Sequence, residues 1–166
     1  MCTVIRFALL VVPVVLCFGC GDDEANSRAE PVAAQPSSSA AAPAKAGTKI
    51  VLRDSDYGRM LWGADRQAIY LFDKEETTKP RCYGDCAAAW PPVFANGAPR
   101  VGKGLDADRL GTVKRRSGKK QVTYGGHALY YYAHEGPGQV LCHDIEEFGG
   151  TWLVVRKSGK PAPGGA

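Results

Sequence analysis

Three groups of side chains in this 166-residue chain are of types that could do chemistry. The first combines thiols and imidazoles: Cys82, Cys86, the adjacent pair Cys142-His143, and the separate His127 and His134. Such residues ligate soft metals, which makes Cys142, His143, His127 and His134 the candidates for a metal- or haem-handling redox site. Their spacing argues against one. Neighbours on a strand point to opposite faces, which parts Cys142 from His143, and His127 and His134 diverge if one strand holds both. The paired C-x-x-C of structural zinc and the C-x-x-C-H of covalent haem are absent, so no metal and no cofactor are expected. Cys82 and Cys86 lie four apart around Gly84, a separation that a tight turn can close into a disulfide. In that pairing Cys142 is a free buried or reactive thiol; in the alternative, Cys142 pairs with Cys82 or Cys86.

The second group, the nucleophiles and carboxylates, forms no catalytic pattern. There is no Gly-x-Ser-x-Gly elbow and no phosphate loop. Ser55, Ser117 and Ser158 sit at turns or near the terminus, and Asp106/Asp108 and Glu146/Glu147 have no partner to drive their pKa values apart. The third group is cationic: Lys114, Arg115, Arg116, Lys119 and Lys120 crowd around Ser117-Gly118. A charged hairpin tip protects a sheet edge, and the same charge attracts lipid headgroups or anionic glycans.

These groups must be positioned by a small domain. The first nineteen residues read as an address: Arg6, then an apolar run from Phe7 to Phe18, too short to span a bilayer as a helix. Residues 20–47, rich in Ala, Pro and Ser, lack hydrophobic periodicity and read as a flexible tether. Residues 48–157 are the folded part, and 158–166 a frayed tail. Strand signals dominate that part. Lys49–Arg53 alternates, Met60–Trp62 and Ala68–Phe72 flank a turn at Gly63–Gln67, and Gln121–Tyr124 and His127–Tyr132 flank the hairpin dipeptide Gly125-Gly126. Thr151–Val155 is a last strand, and Asp85 caps a short helix over 85–90 that Pro91-Pro92 stop. The fold expected is all-β, barrel- or sandwich-like.

The domain is duplicated. Ile69-Tyr70-Leu71-Phe72-Asp73-Lys74-Glu75 precedes Leu129-Tyr130-Tyr131-Tyr132-Ala133-His134-Glu135 by sixty positions, and Trp90 and Trp152 follow the two copies at a similar distance. Neither hairpin-plus-Trp copy can bury its aromatic face alone. Tyr70-x-Phe72-x-x-Glu75, Cys82-x-Gly84-x-Cys86-Ala87 with Trp90-Pro91-Pro92, Tyr130-x-Tyr132-x-x-Glu135 and Gly149-Gly150-x-Trp152 together resemble the bacterial lipoproteins with a Tyr-x-(Phe/Trp/Tyr)-x-x-Asp motif, the secreted repeat of unknown function. Both motif acids are Glu here. Leu16-Cys17-Phe18-Gly19-Cys20 resembles a lipoprotein signal, with Cys20 the lipid acceptor. The resemblance implies an exported location and this fold, and carries no catalytic residue. The function expected is non-catalytic binding of an envelope component by a domain tethered to a membrane, with nucleic acid excluded as a partner. A redox lipoprotein and a purely structural one are the alternatives.

Overall fold

Alternation at residues 49–53 places Ile50 in the core while Lys49 and Arg53 face solvent, and the segment forms strand β1 (Lys49–Arg53). The computed structural model describes residues 47–164. The signal segment 1–19, Cys20 and the tether up to residue 46 lie outside the described residues. After β1 come β2 (Met60–Gly63), β3 (Tyr70–Phe72), a short helix α1 (Asp85–Ala89) and β4 (Arg100–Val101). A 3-10 turn at Ala107–Arg109 leads into β5 (Leu110–Lys114), β6 (Lys120–Tyr124), β7 (His127–Ala128), β8 (Ile145–Glu147) and β9 (Gly150–Val154).

The strands form three small sheets, ordered β2-β1-β4, β3-β9-β8 and β5-β6-β7, and none closes into a barrel. Every pair is antiparallel except β1 with β4. Both expected turns are present. Gly63 N–H donates to Gln67 O at 2.9 Å, and Gly125 and Gly126 take φ of 60° and 92°, the left-handed pair that a two-residue hairpin turn requires.

Four details depart from the sequence reading. Helix α1 is capped by Gly84 at φ 58° rather than by Asp85, which lies inside the first turn, where a carboxylate complements the helix N-terminus. The strand expected to run to Tyr132 pairs regularly only over β7. Beyond it the chain meets Pro91 and Pro92, which have no N–H; Val93 N–H to Leu129 O and Tyr131 N–H to Pro91 O bracket the gap. β4, β5 and β8 were not anticipated. Finally, the segment 158–164 is no frayed tail: Pro161 bridges Val155, and Ala162 N–H donates to Val154 O at 2.9 Å. Ala162 is buried because that pairing lays it on the core.

Two hydrophobic clusters fill the interior. One is aliphatic, built on Ile50, Leu61, Ile69, Leu71, Val93, Val122, Leu129 and Val155. The other holds the motif aromatics with Cys82, Cys86 and Cys142. Ile69, Leu71, Leu129 and Trp152, expected in the core, are all buried.

Candidate functional site

The two tyrosine segments meet at the centre. Tyr70 N–H donates to Tyr130 O at 2.9 Å, and Tyr130 N–H returns the bond to Tyr70 O at 3.0 Å. This reciprocal pair relates the copies by an approximate two-fold axis, and the motif side chains obey it. Trp90 and Trp152 stack face to face at 4.0 Å with 2° between their planes. Each tryptophan also meets the tyrosine of its own copy edge-on, Tyr70–Trp90 and Tyr130–Trp152 both at 5.2 Å. Each then packs on the second motif aromatic of the other copy: Trp90 on Tyr132 at 4.7 Å, Trp152 on Phe72 at 4.4 Å.

The motif acids exchange partners across the same axis. Tyr70 hydroxyl donates to Glu135 Oε1, and Tyr130 hydroxyl to Glu75 Oε1, each at 2.6 Å. Each acid also accepts a main-chain bond from the loop after it: Glu75 Oε1 from Arg81 N–H at 2.7 Å and Cys82 N–H at 3.3 Å, Glu135 Oε1 from Leu141 N–H at 2.5 Å. The longer Glu side chain therefore still reaches loop and partner tyrosine together. Burial raises the pKa of both carboxyls, against the lowering effect of these bonds. Burial first, then the facing carboxylate, raises both tyrosines as well. The second oxygen of each acid, Oε2, is buried without a hydrogen-bond partner. These groups hold the repeats together inside the core.

The thiols and imidazoles do not converge. Cys82 and Cys86 form the local disulfide, with Cα atoms 5.3 Å apart. Cys142 stands sixty positions after Cys82, is fully buried, and is engaged rather than a free thiol. His143 accepts Val154 N–H at Nδ1 (3.2 Å), so its Nε2 carries the proton and donates to Pro163 O (2.9 Å), leaving no lone pair for a metal. His134 packs edge-on against Tyr132, and burial lowers the pKa of His127. Among the described residues no three metal-binding groups gather.

The cationic group is rearranged. Lys114 pairs with Lys120 at the turn end of the β5–β6 hairpin, and Lys114, Arg116, Lys119 and Lys120 are exposed. Arg115 is not: it is 6% exposed, because its guanidinium turns inward to donate to Gln121 Oε1 and Cys82 O. It thereby ties the hairpin to the disulfide loop and leaves the surface group. Two aromatics the sequence reading had not placed there complete the face. Tyr83 lies under Arg115 and Arg116, at 4.3 and 4.4 Å, and Phe94 lies 5.2 Å from Lys119 Nζ. Tyr83 follows Cys82, so the disulfide loop presents it. Phe94 bridges Gln121 and is 39% exposed. The pairing of β6 with residues 93–95 brings Phe94 to this face and the Arg115–Cys82 bond brings Tyr83, and neither spacing nor composition signals either contact.

No curated protein and no solved structure matches the chain. A family model, the secreted repeat of unknown function, matches residues 51–94 and again 111–156, more than half of the chain and one match per structural copy. No described helix is long and apolar enough to cross a membrane. With both copies matched and their motif residues interlocked on one axis, the chain belongs to the secreted repeat family.

Proposed function

We propose that this is a lipid-anchored, non-catalytic domain that binds an anionic component of the cell envelope through the β5–β6 face. The observation that carries the reading is the cluster of four exposed cations, Lys114, Arg116, Lys119 and Lys120, beside two partly exposed aromatic rings. The aromatics supply contact area and the cations supply attraction of about 1 kcal/mol each near an anionic surface. The buried tyrosine–carboxyl pairs support a binding role, since the hydroxyls and acids are spent on each other.

The anchor rests on the apolar run that ends in Gly19-Cys20. Two or more acyl chains hold a protein stably at a membrane, whereas one holds it marginally. An anchor at Cys20 keeps the cationic face at the envelope, among headgroups and surface polymers. Cys20→Ser is expected to release the protein from membranes; continued membrane partitioning with no lipid on the N-terminus contradicts the anchor.

Binding to vesicles containing an anionic lipid tests the face. Reversal of Lys114, Arg116, Lys119 and Lys120 to Glu should abolish binding and leave stability within about 0.5 kcal/mol. Attraction of this kind is screened over a Debye length of ~8 Å at physiological salt, so wild-type binding should weaken steeply with ionic strength. Binding indifferent to both salt and charge reversal refutes the reading.

A further inference from the structure

A second concavity lies in the first copy, away from the residues used above. It has a volume of about 410 Å³ and is lined by Leu52, Arg53, Asp54, Trp62, Arg66 and Gly138. That is within the range of small-molecule sites, ~300–1,000 Å³. We propose that this cavity binds a small ligand bearing an oxyanion, a carboxylate or a phosphate, between the Arg53 and Arg66 guanidinium groups and over Trp62.

The cavity wall carries two guanidinium groups against one carboxylate, that of Asp54. Among the described residues neither Arg53 nor Arg66 forms an ion pair, and Asp54 is drawn to Arg59 at 3.4 Å. A planar guanidinium fork matches carboxylate and phosphate oxygens two at a time. Arg66 is held in place by the other copy. Its carbonyl accepts Gly138 N–H at 2.7 Å, and a Cβ at Gly138 would stand 2.8 Å from Arg66 Nη2, so glycine there makes room for the guanidinium. Arg66 also occupies a left-handed turn position, φ 70°, that glycine would fill with less strain. Turn geometry therefore does not account for an arginine.

Trp62 adds an independent observation. It is 4% exposed, and its indole N–H is a buried donor with no acceptor. Trp90 and Trp152 both donate theirs to Glu147. A buried N–H lacking an acceptor is costly, and on a residue of the cavity wall it reports on what fills the cavity. The second copy shows that the fold does not need this trio. Val51 pairs with Trp62 and Gly111 with Thr123, which makes Thr123 the counterpart of Trp62 and Val113 that of Arg53. The shorter Gly125-Gly126 turn has no place for an Arg66. One copy carries the anion-binding groups and its twin folds without them.

The indole N–H resonances of the isotope-labelled full chain test the site, titrated with glucuronate and, separately, with inorganic phosphate. The Trp62 resonance should shift saturably while those of Trp90 and Trp152 stay. Arg53→Gln and Arg66→Gly, the latter suited to the turn, should each weaken the response about tenfold. A response to glucuronate alone supports a carboxylate ligand, to phosphate alone a phosphate ligand, and to both a general oxyanion site. Reversing Lys114, Arg116, Lys119 and Lys120 should leave the titration unchanged, which separates this site from the β5–β6 face. No shift with either probe, or a shift that persists in both arginine variants, overturns the proposal.

Discussion

The two copies differ in what surrounds a shared centre. Tyr70, Phe72, Glu75 and Trp90 in one correspond to Tyr130, Tyr132, Glu135 and Trp152 in the other, and each set makes the same contacts across the axis. Away from the axis the copies diverge. The first has a local disulfide, where Glu146 stands sixty positions after Cys86, and it holds the cavity of Arg53, Arg66 and Trp62. The second contributes the cationic hairpin and Glu147, which accepts the indole N–H of both tryptophans. A motif acid that stabilised its own hairpin could have drifted once the copies separated. Because each acid serves the tyrosine of the other copy, both motifs are required together, while the peripheral residues are free to differ.

The stacked tryptophans should give the largest effect. Trp152→Ala removes a fully buried ring from contact with Phe72, Trp90 and Tyr130. It should cost about 3–5 kcal/mol in chemical denaturation. Trp90→Ala should cost a similar amount, since its contacts are the symmetric ones. If one substitution is nearly silent, the two-fold equivalence of the copies fails. Next is the local Cys82–Cys86 disulfide of the first copy. Replacing Cys82 and Cys86 with alanine should cost about 2 kcal/mol, the value for so short a loop on the chain-entropy account. The β5–β6 face should weaken with it, because Arg115 holds the loop through Cys82 O and Tyr83 rides on it.

The acids make a prediction about pH. Burial raises the folded-state pKa of Glu75 and Glu135 above the value each has in the unfolded chain. The folded state then binds more protons than the unfolded one between the two values. The stability this confers is fully present below the unfolded pKa and is lost as pH rises through the folded pKa. Stability should therefore fall on going from mildly acidic toward neutral pH, by at most about 1.4 kcal/mol per pH unit for each carboxyl. Glu75→Gln and Glu135→Gln, which keep an acceptor oxygen without the titration, should each flatten the profile. A profile that rises toward neutral pH, and is unchanged in both variants, contradicts carboxyl pKa values raised by burial.

How much of this was readable in advance follows from the range of each interaction. β1, the Gly125-Gly126 turn and the duplication are local or periodic, and alternation or spacing exposes them. β5 has Gly111 and Thr112 at its centre and stays partly exposed, so it carries no clear alternation. β8 puts Glu146 and Glu147 on an edge strand, against strand propensity. β4 is two residues long and acquires its identity only by pairing in parallel with β1. The motif residues themselves were legible as a repeat. Their exchange was not, because Tyr70 and Glu135 lie 65 positions apart and Tyr130 and Glu75 lie 55 apart. The inward turn of Arg115 was hidden for the same reason: its carbonyl partner is 33 positions away.

The smallest effect separates the two exchanged pairs from each other. Tyr70→Phe and Tyr130→Phe each delete one hydroxyl and leave the ring stacked against its tryptophan, so each should cost on the order of 1 kcal/mol. The acids left behind are not equally provided for. Without the Tyr130 hydroxyl, Glu75 Oε1 keeps the N–H groups of Arg81 and Cys82. Without the Tyr70 hydroxyl, Glu135 Oε1 keeps the Leu141 N–H. Tyr70→Phe should therefore be the more costly of the two. Because each tyrosine serves the acid of the other copy, Tyr70→Phe combined with Glu135→Gln should be less than additive, whereas Tyr70→Phe with Glu75→Gln should be close to additive. Coupling within a copy rather than between copies would mean that the interlock is not what joins the repeats.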